Sequence, residues 1–351
     1  MEEVLIVGQG LAGTWLSWCL YRSNVSFNVI DKPDLDGASM RAAGLINPVT
    51  GRRMVTTWMI DELMPFAFGA YGEIGKFLDD SFIKEISLID FFPSVQMLQA
   101  FQKRYEEDKS YLHREEDREK YSSWFQYDLG WGAIRPCAVV NVENLLTRWR
   151  AWLKKNGLLT ESIFDISNLQ VNDKGVEYAG MQYRSVIFCD GKSSSLNPYF
   201  DKLPFALNKG EGLLVKIEGL PENLVFKKGL SLVPYKEDIY WLGSSYEWTY
   251  HDDQPSEIFR KTGEGWLNFN LKTPYSILEH FAAIRPATLE RRPFVGFHPS
   301  FPQIGILNGF GTKGCSLAPF FAKQLVEKIR DEGSISPLAD INRFEKIIRR
   351  T

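Results

Sequence analysis

The chain opens on a glycine-spaced turn that constrains everything after it. Val4 to Val7 is a short, wholly apolar run, the pattern of a strand buried on both faces. It stops at Gly8-Gln9-Gly10-Leu11-Ala12-Gly13, a G-x-G-x-x-G, and apolar residues then recur at helical spacing from Leu11 to Arg22. Ser26 to Ile30 reads as a second strand, ending in Asp31. This order makes a βαβ unit built for a dinucleotide. Gly8 permits the tight turn, Gly10 lets backbone approach a pyrophosphate, and Gly13 lets the helix pack closely on the strand. The helix N-terminus offers N–H donors and the positive end of its dipole to the anion. Asp31, followed by Lys32, is placed to accept bonds from a ribose with a free 2′-hydroxyl, which fits FAD or NAD and not NADP.

At 351 residues the chain has room for about two domains. Its 41 basic and 44 acidic residues give a net charge of -3, which disfavours nucleic acid as the main partner. Cys19, Cys137, Cys189 and Cys315 lie far apart, and His113, His251, His280 and His298 are equally scattered. No metal site is expected from them, nor a disulfide framework. There is no apolar run of membrane-spanning length and no secretory leader pattern, so the expectation is a cytoplasmic protein.

Further on, Glu62 to Leu78 is helical in pattern, with Gly69, Gly72 and Gly75 weakening it. Between Phe82 and Val140 the chain turns aromatic and charged, and Arg114 to Lys120 reads as a solvated helix face or loop. Asn144 to Lys155 is a helix. Short strands follow at Leu169–Val171, Gly175–Tyr178 and Ser185–Cys189, the last running into a turn at Asp190-Gly191. Gly212–Ile217 and Leu230–Ser244 alternate like an antiparallel sheet. Ile304–Leu307 is another buried strand, leading through Gly309, Gly311 and Gly314 into a helix from about Ser316 to Arg330. Three small-residue loops result: Gly37 to Pro48, Asp190-Gly191, and Gly309 to Gly314. That is more than a nicotinamide domain usually needs, and it favours FAD.

On these residues the chain resembles the D-amino-acid oxidase superfamily of FAD proteins, the group containing glycine oxidase and sarcosine oxidase. The resemblance runs the whole length. It is carried by the opening motif with Asp31, Arg41 to Pro48, Cys189-Asp190-Gly191 and Lys209-Gly210-Glu211-Gly212. Gly243 to Glu247, Ile284 to Thr288, Pro293 to Gly296 and Gly309 to Gly314 with Ala318-Pro319 complete it.

The resemblance implies an α/β fold: a Rossmann-like FAD-binding domain and a second, mainly antiparallel β domain for substrate. The boundaries expected are 1–80, 141–205 and 281–351 for the first, and 81–140 and 206–280 for the second. It implies oxidation of the C–N bond of a small amino acid or N-alkyl glycine, with hydride passing to flavin and the imine hydrolysed by water. The cofactor carries that chemistry, and the protein orients the substrate. FAD contacts are expected from Gly8, Gly10, Leu11, Ala12, Gly13, Asp31, Lys32, Arg41, Ala42, Ala43, Gly44, Asp190, Gly191, Gly309, Gly311, Thr312, Lys313 and Gly314. Lys313 either adds charge at the flavin or points to solvent. Arg285 stands where relatives keep an arginine for the substrate carboxylate. Tyr246 is either a substrate-side aromatic or one more sheet tyrosine, and only one of Tyr240 and Trp241 can face a pocket. Arg291 and Arg292 receive no role and read as solvated. No cysteine stands where some sarcosine oxidases tether FAD, so noncovalent FAD is expected. No lysine stands near Tyr246 to Tyr250, which leaves oxidase and dehydrogenase both open. Two other functions fit parts of the pattern: oxidation of a carboxymethylaminomethyl group on a tRNA wobble uridine, which the net charge opposes, and a flavin-binding protein without turnover.

Overall fold

In the computed structural model, which describes residues 2–349, the opening unit forms as its sequence implies. Glu2–Val7 is a strand, Leu11–Arg22 a helix, and Phe27–Ile30 a second strand parallel to the first. Val4, Leu5 and Ile6 are buried because this strand is central, with Met181–Phe188 parallel on its other side. Phe301–Asn308 extends the parallel set and Phe294–His298 returns antiparallel. Leu159–Thr160 closes the far edge, and the hairpin Gln170–Asn172 with Gly175–Tyr178 pairs with the start of Met181–Phe188. The carboxyl ends of the parallel strands therefore bring Gly8, Asp31, Cys189 and Gly309 to one edge, where open α/β sheets bind ligands.

Helices Leu11–Arg22, Ile60–Leu78 and Gly314–Ile329 pack on this sheet, with Trp15, Leu16, Tyr71, Phe321 and Leu325 in one core. Ile60–Leu78 is continuous despite its glycines. Leu63, Ala67, Tyr71 and Ile74 are buried at helical spacing, while Gly69 and Gly72 face open space, so packing of the apolar stripe outweighs their low propensity.

A second, nine-stranded sheet runs in the order Ser276–Arg285, Asn208–Lys216, Ile239–Gly243, Leu230–Lys236, Leu224–Lys228, Ile83–Phe91, Trp131–Val140 and Leu45–Ile46. Leu112–His113 adds to Trp131–Val140. Its neighbours are antiparallel except Leu224–Lys228 beside Ile83–Phe91. Period-two alternation divides its faces. Leu213, Val215 and Leu242 meet Phe259 and Leu267 of helix Glu257–Asn270 on one face. The other face looks onto the cavity described below. The charged run from Arg114 to Lys120 is turn and loop, not helix, and mostly exposed. No helix among the described residues is long and apolar enough to cross a membrane. The fold is thus mixed α/β, a mainly parallel sheet joined to a mainly antiparallel one.

Candidate cofactor and substrate cavity

One cavity of about 1300 Å³ runs along the carboxyl edge of the first sheet to the open face of the second. Ordinary small-molecule pockets span about 300–1,000 Å³, so this one has room for a dinucleotide together with a small substrate.

At its first end Gly8 adopts φ +98°, and a Cβ there would lie 2.7 Å from the Cys189 carbonyl. Gly10 is different. The nearest atom to a Cβ at Gly10 is Ser39 Oγ at 3.0 Å, with no backbone nearby, so what its missing side chain leaves free is cavity. Gln9 N–H donates to Asp31 Oδ1 at 2.9 Å, and Arg150 Nη1 donates to Asp31 Oδ2 at 2.5 Å. Arg150 also bonds Gln9 Oε1 and Glu161. A carboxylate has about four lone-pair sites, which leaves Asp31 able to accept further bonds. Leu11 N–H donates to Ser39 Oγ.

The wall from Gly37 to Gly44 is small-residued apart from Met40 and Arg41. Arg41 pairs with Asp36 at 2.7 Å and Glu279 at 2.8 Å, and its carbonyl accepts from Trp241 Nε1. These bonds tie the loop to the second sheet. Asp190 lies opposite, its carboxyl accepting from Ser194 Oγ, and burial pushes its pKa up to about 6. Asn308 holds this corner by donating to the Gly191 carbonyl. The turn at Asp190-Gly191 continues as a 3₁₀ helix, Gly191–Leu196.

Gly311, Thr312, Lys313 and Gly314 line the cavity at the start of the last long helix. Lys313 is half-buried at the cap of that helix. Burial and the nearby Arg292 and Arg291 push its ammonium pKa down. Arg292 is not simply solvated, as expected from sequence: its guanidinium lies over the Trp58 ring at 4.1 Å.

At the substrate end, Arg285 Nη1 donates to Asn208 Oδ1 at 2.7 Å and to the Ser245 carbonyl at 3.2 Å. Its guanidinium lies 4.8 Å from the Tyr246 ring centroid and covers Gly210 so closely that a Cβ there would meet Nη2 at 1.7 Å. Both hydrogen-bond acceptors are neutral. Among the described residues no acid forms an ion pair with Arg285, and burial pushes its pKa down. Tyr246 lies in the loop after Ile239–Gly243, not in a strand. Trp241 faces the cavity, while Tyr240 is buried on the opposite face with its hydroxyl on the Leu220 carbonyl.

Two expected FAD contacts are not on the cavity. Gly13 is filled from within, since a Cβ would sit 1.8 Å from the Gly8 carbonyl. Gly309 is packed against Thr288, where a Cβ would meet Cγ2 at 2.7 Å. Both glycines serve close packing. The other expected residues all line the cavity.

Sequence reasoning missed Arg150 and Lys227 on the cavity wall. Arg150 reaches Asp31 across 119 residues of chain, and no local pattern marks it. The Lys209 to Gly212 motif is explained by alternation. Gly210 and Gly212 keep the cavity face low, while Lys209 and Glu211 point to the other side, where Glu211 bonds His280 at 2.9 Å and Ser256.

The family model for FAD dependent oxidoreductase, DAO, matches residues 3–328. The chain belongs to the DAO family of FAD-dependent oxidoreductases. Its fold is similar to glycine oxidase from Geobacillus kaustophilus, with a TM-score of 0.81 and 16% identity over 97% of each chain. It is also similar to L-proline dehydrogenase from P. horikoshii (0.78, 16% identity, 98% of each chain). Iminodiacetate oxidase from Chelativorans sp. BNC1 is a third such fold (0.77, 17% identity, 96% of this chain and 97% of that one).

This DAO-family cavity fits FAD on its own geometry. Gly10 leaves space at a helix N-terminus, the loop from Gly37 to Gly44 offers a close small-residue wall, and the cation Lys313 caps the start of helix Gly314–Ile329. A helix N-terminus and a cation favour the anionic groups of such a cofactor.

Proposed function

We propose that the protein oxidises the C–N bond of a small amino acid or N-alkyl glycine, using noncovalently held FAD and anchoring the substrate carboxylate on Arg285. The observation that carries this reading is Arg285 itself, a cavity-lining cation whose protein partners, Asn208 and Ser245, are both neutral. A desolvated guanidinium without a counter-charge is costly, and a carboxylate removes the cost through two parallel hydrogen bonds.

FAD, when bound, supplies the two-electron oxidant. Arg285 pairs with the carboxylate and so fixes which end of the substrate is buried. Asn208 and the Ser245 carbonyl hold one edge of the guanidinium and set its plane. Tyr246 covers its face by a cation–π contact. Trp241 and Phe281 give the cavity apolar walls on the sheet side. The residues we assign to FAD are Gly8, Gly10, Leu11, Ala12, Asp31, Lys32, Arg41 to Gly44, Asp190, Gly191 and Gly311 to Gly314. Noncovalent binding is supported by the cavity thiols: burial pushes Cys315 up to about 12 and Cys189 well above the usual range, so neither is a thiolate nucleophile at neutral pH.

We infer two domains, 1–80 with 141–205 and 281–351 for FAD, and 81–140 with 206–280 for substrate. Strand membership supports this, with Leu45–Ile46 and the end of Ser276–Arg285 crossing to the second sheet.

The test is anaerobic. Amino acids and N-methyl amino acids are mixed with the yellow protein and the flavin absorbance is followed. Bleaching by at least one acid, and none by the matching amine without a carboxylate, is expected. Absence of bleaching by every acid in the screen would overturn the assignment.

A further inference from the structure

The cavity face of the nine-stranded sheet carries a cation at each end. Cross-strand pairing sets Asp90 opposite Lys227, Lys227 opposite Ser231, Ser231 opposite Gly243, and Gly243 opposite Gly212. Directly paired residues share a face. Arg285 leans over Gly210 on that same face. From Gly210 to Lys227 the sheet takes three strand steps of about 4.8 Å, on the order of 15 Å of backbone, and the Lys227 ammonium turns further toward Asp90 on the next strand. Between the two cations lie Ser231 and Gly243, and the Trp241 ring leans over Gly243, where a Cβ would meet its Cη2 at 2.6 Å. The walls there are Trp241, Val233 and Phe281, and all of these residues line the cavity.

Lys227 is held from behind. Its ammonium lies 2.6 Å from Oδ2 of the fully buried Asp90. Asp90 uses one of three ammonium donors, and Lys227 still lines the cavity. Arg52 adds a further charge at this end. Its turn joins Val49–Thr50 to Val55–Thr56, and Met54 in that turn shares a buried cluster with Leu88 and Val225, each two residues along its strand from Asp90 or Lys227. Arg52 lines the cavity and forms no ion pair among the described residues. Two cations against one acid leave this end net positive.

We propose that the substrate carries a second anionic group, separated from the reacting amine by an apolar spacer, and that Lys227 binds it, with Arg52 adding attraction from the rim. This rests on the reading of Arg285 as the first carboxylate's anchor. Asp90 is a positioning residue that fixes the lysine between strands.

The test uses the holoenzyme with non-oxidisable acids: straight-chain dicarboxylates from malonate to sebacate, each beside the monocarboxylate of equal length. The readout is the shift of the flavin absorbance on binding, which needs no turnover. Longer dicarboxylates are expected to bind at least tenfold tighter than their monocarboxylate partners, a ratio within reach of one hydrogen bond to a charged group. The double variant K227M/D90N, which leaves no buried charge alone, is expected to lose that ratio and keep its monocarboxylate affinity. R52Q, at an exposed position, is expected to lose a smaller, salt-sensitive part.

A flat length series in the wild type overturns the proposal, as does an unchanged ratio in the double variant. Should the double variant fail to hold flavin, the wild-type series and R52Q decide. Failure of the anchor itself reads differently: R285M would then bind monocarboxylates and dicarboxylates as the wild type does. Loss of both acid classes in R285M, with K227M/D90N unchanged, overturns the second site alone.

Discussion

Arg285 and Asp190 show how one residue's surroundings set its chemistry. Arg285 has neutral partners and an open cavity before it. Removing a buried charge partner typically costs about 2–5 kcal/mol. Arg285→Met is therefore expected to lower the apparent affinity for an amino acid by roughly 30-fold or more, with normal flavin content. Arg285→Lys keeps the charge but not the fork and should lose less. Flavin reduction against concentration, for an acid and its decarboxylated amine, measures both.

Asp190 carries a pH dependence. Its native pKa, about 6, lies above the ordinary 3.8, so the native state holds the proton more tightly than the unfolded one. Stability then falls as pH rises from about 4 to about 6, and the cost is complete above that. Asp190→Asn avoids it and still accepts the Ser194 hydroxyl. The apoprotein variant is expected to be more stable than wild type at pH 7.5, by up to roughly 3 kcal/mol, with the advantage vanishing toward pH 4. Urea midpoints at the two pH values check the sign.

At the scale of elements, the glycine turn does two jobs that substitution separates. Gly10 borders free space and Gly13 borders backbone. Gly10→Val is expected to leave the far-ultraviolet circular dichroism and the urea midpoint near wild type while abolishing flavin retention. Gly13→Val must push helix Leu11–Arg22 off the Gly8 carbonyl, so it should destabilise the fold itself by several kcal/mol, in the range of strong overpacking, about 1–3 or more. Flavin content and urea midpoint, measured on both variants, tell the two apart. Equal behaviour of the pair would contradict the division between a ligand glycine and a packing glycine.

Across the whole molecule, the cavity draws walls from both sheets, and Arg41 ties its loop to Glu279 and Trp241 on the second. A ligand filling that space binds only the assembled fold. Added FAD should raise the unfolding midpoint in proportion to the logarithm of its concentration, worth about 2.7 kcal/mol at a hundred times Kd. Acid precipitation should release the intact dinucleotide into the supernatant. Colour retained in the pellet would contradict noncovalent binding, and a midpoint indifferent to FAD would contradict a shared cavity.

The local code determined the opening βαβ unit by itself. Apolar run, glycine spacing, helical period and terminal acid lie within 31 residues, and each acts through its neighbours. The alternating strands and the last glycine-rich helix start were legible for the same reason, as was Trp241 or Tyr240 as an exclusive choice. Gly13 and Gly309, grouped in sequence with the ligand glycines, border packed atoms off the cavity; close packing and ligand approach leave the same mark in sequence, a missing side chain. Which distant groups meet was settled by packing across the two sheets. Arg150 reaches Asp31 from a helix far along the chain, Asn208 and Ser245 hold Arg285, and strand register puts Asp90 beside Lys227. None of these pairs has a spacing to read. They exist because two sheets close around one cavity, and the charges facing it are settled by that closure.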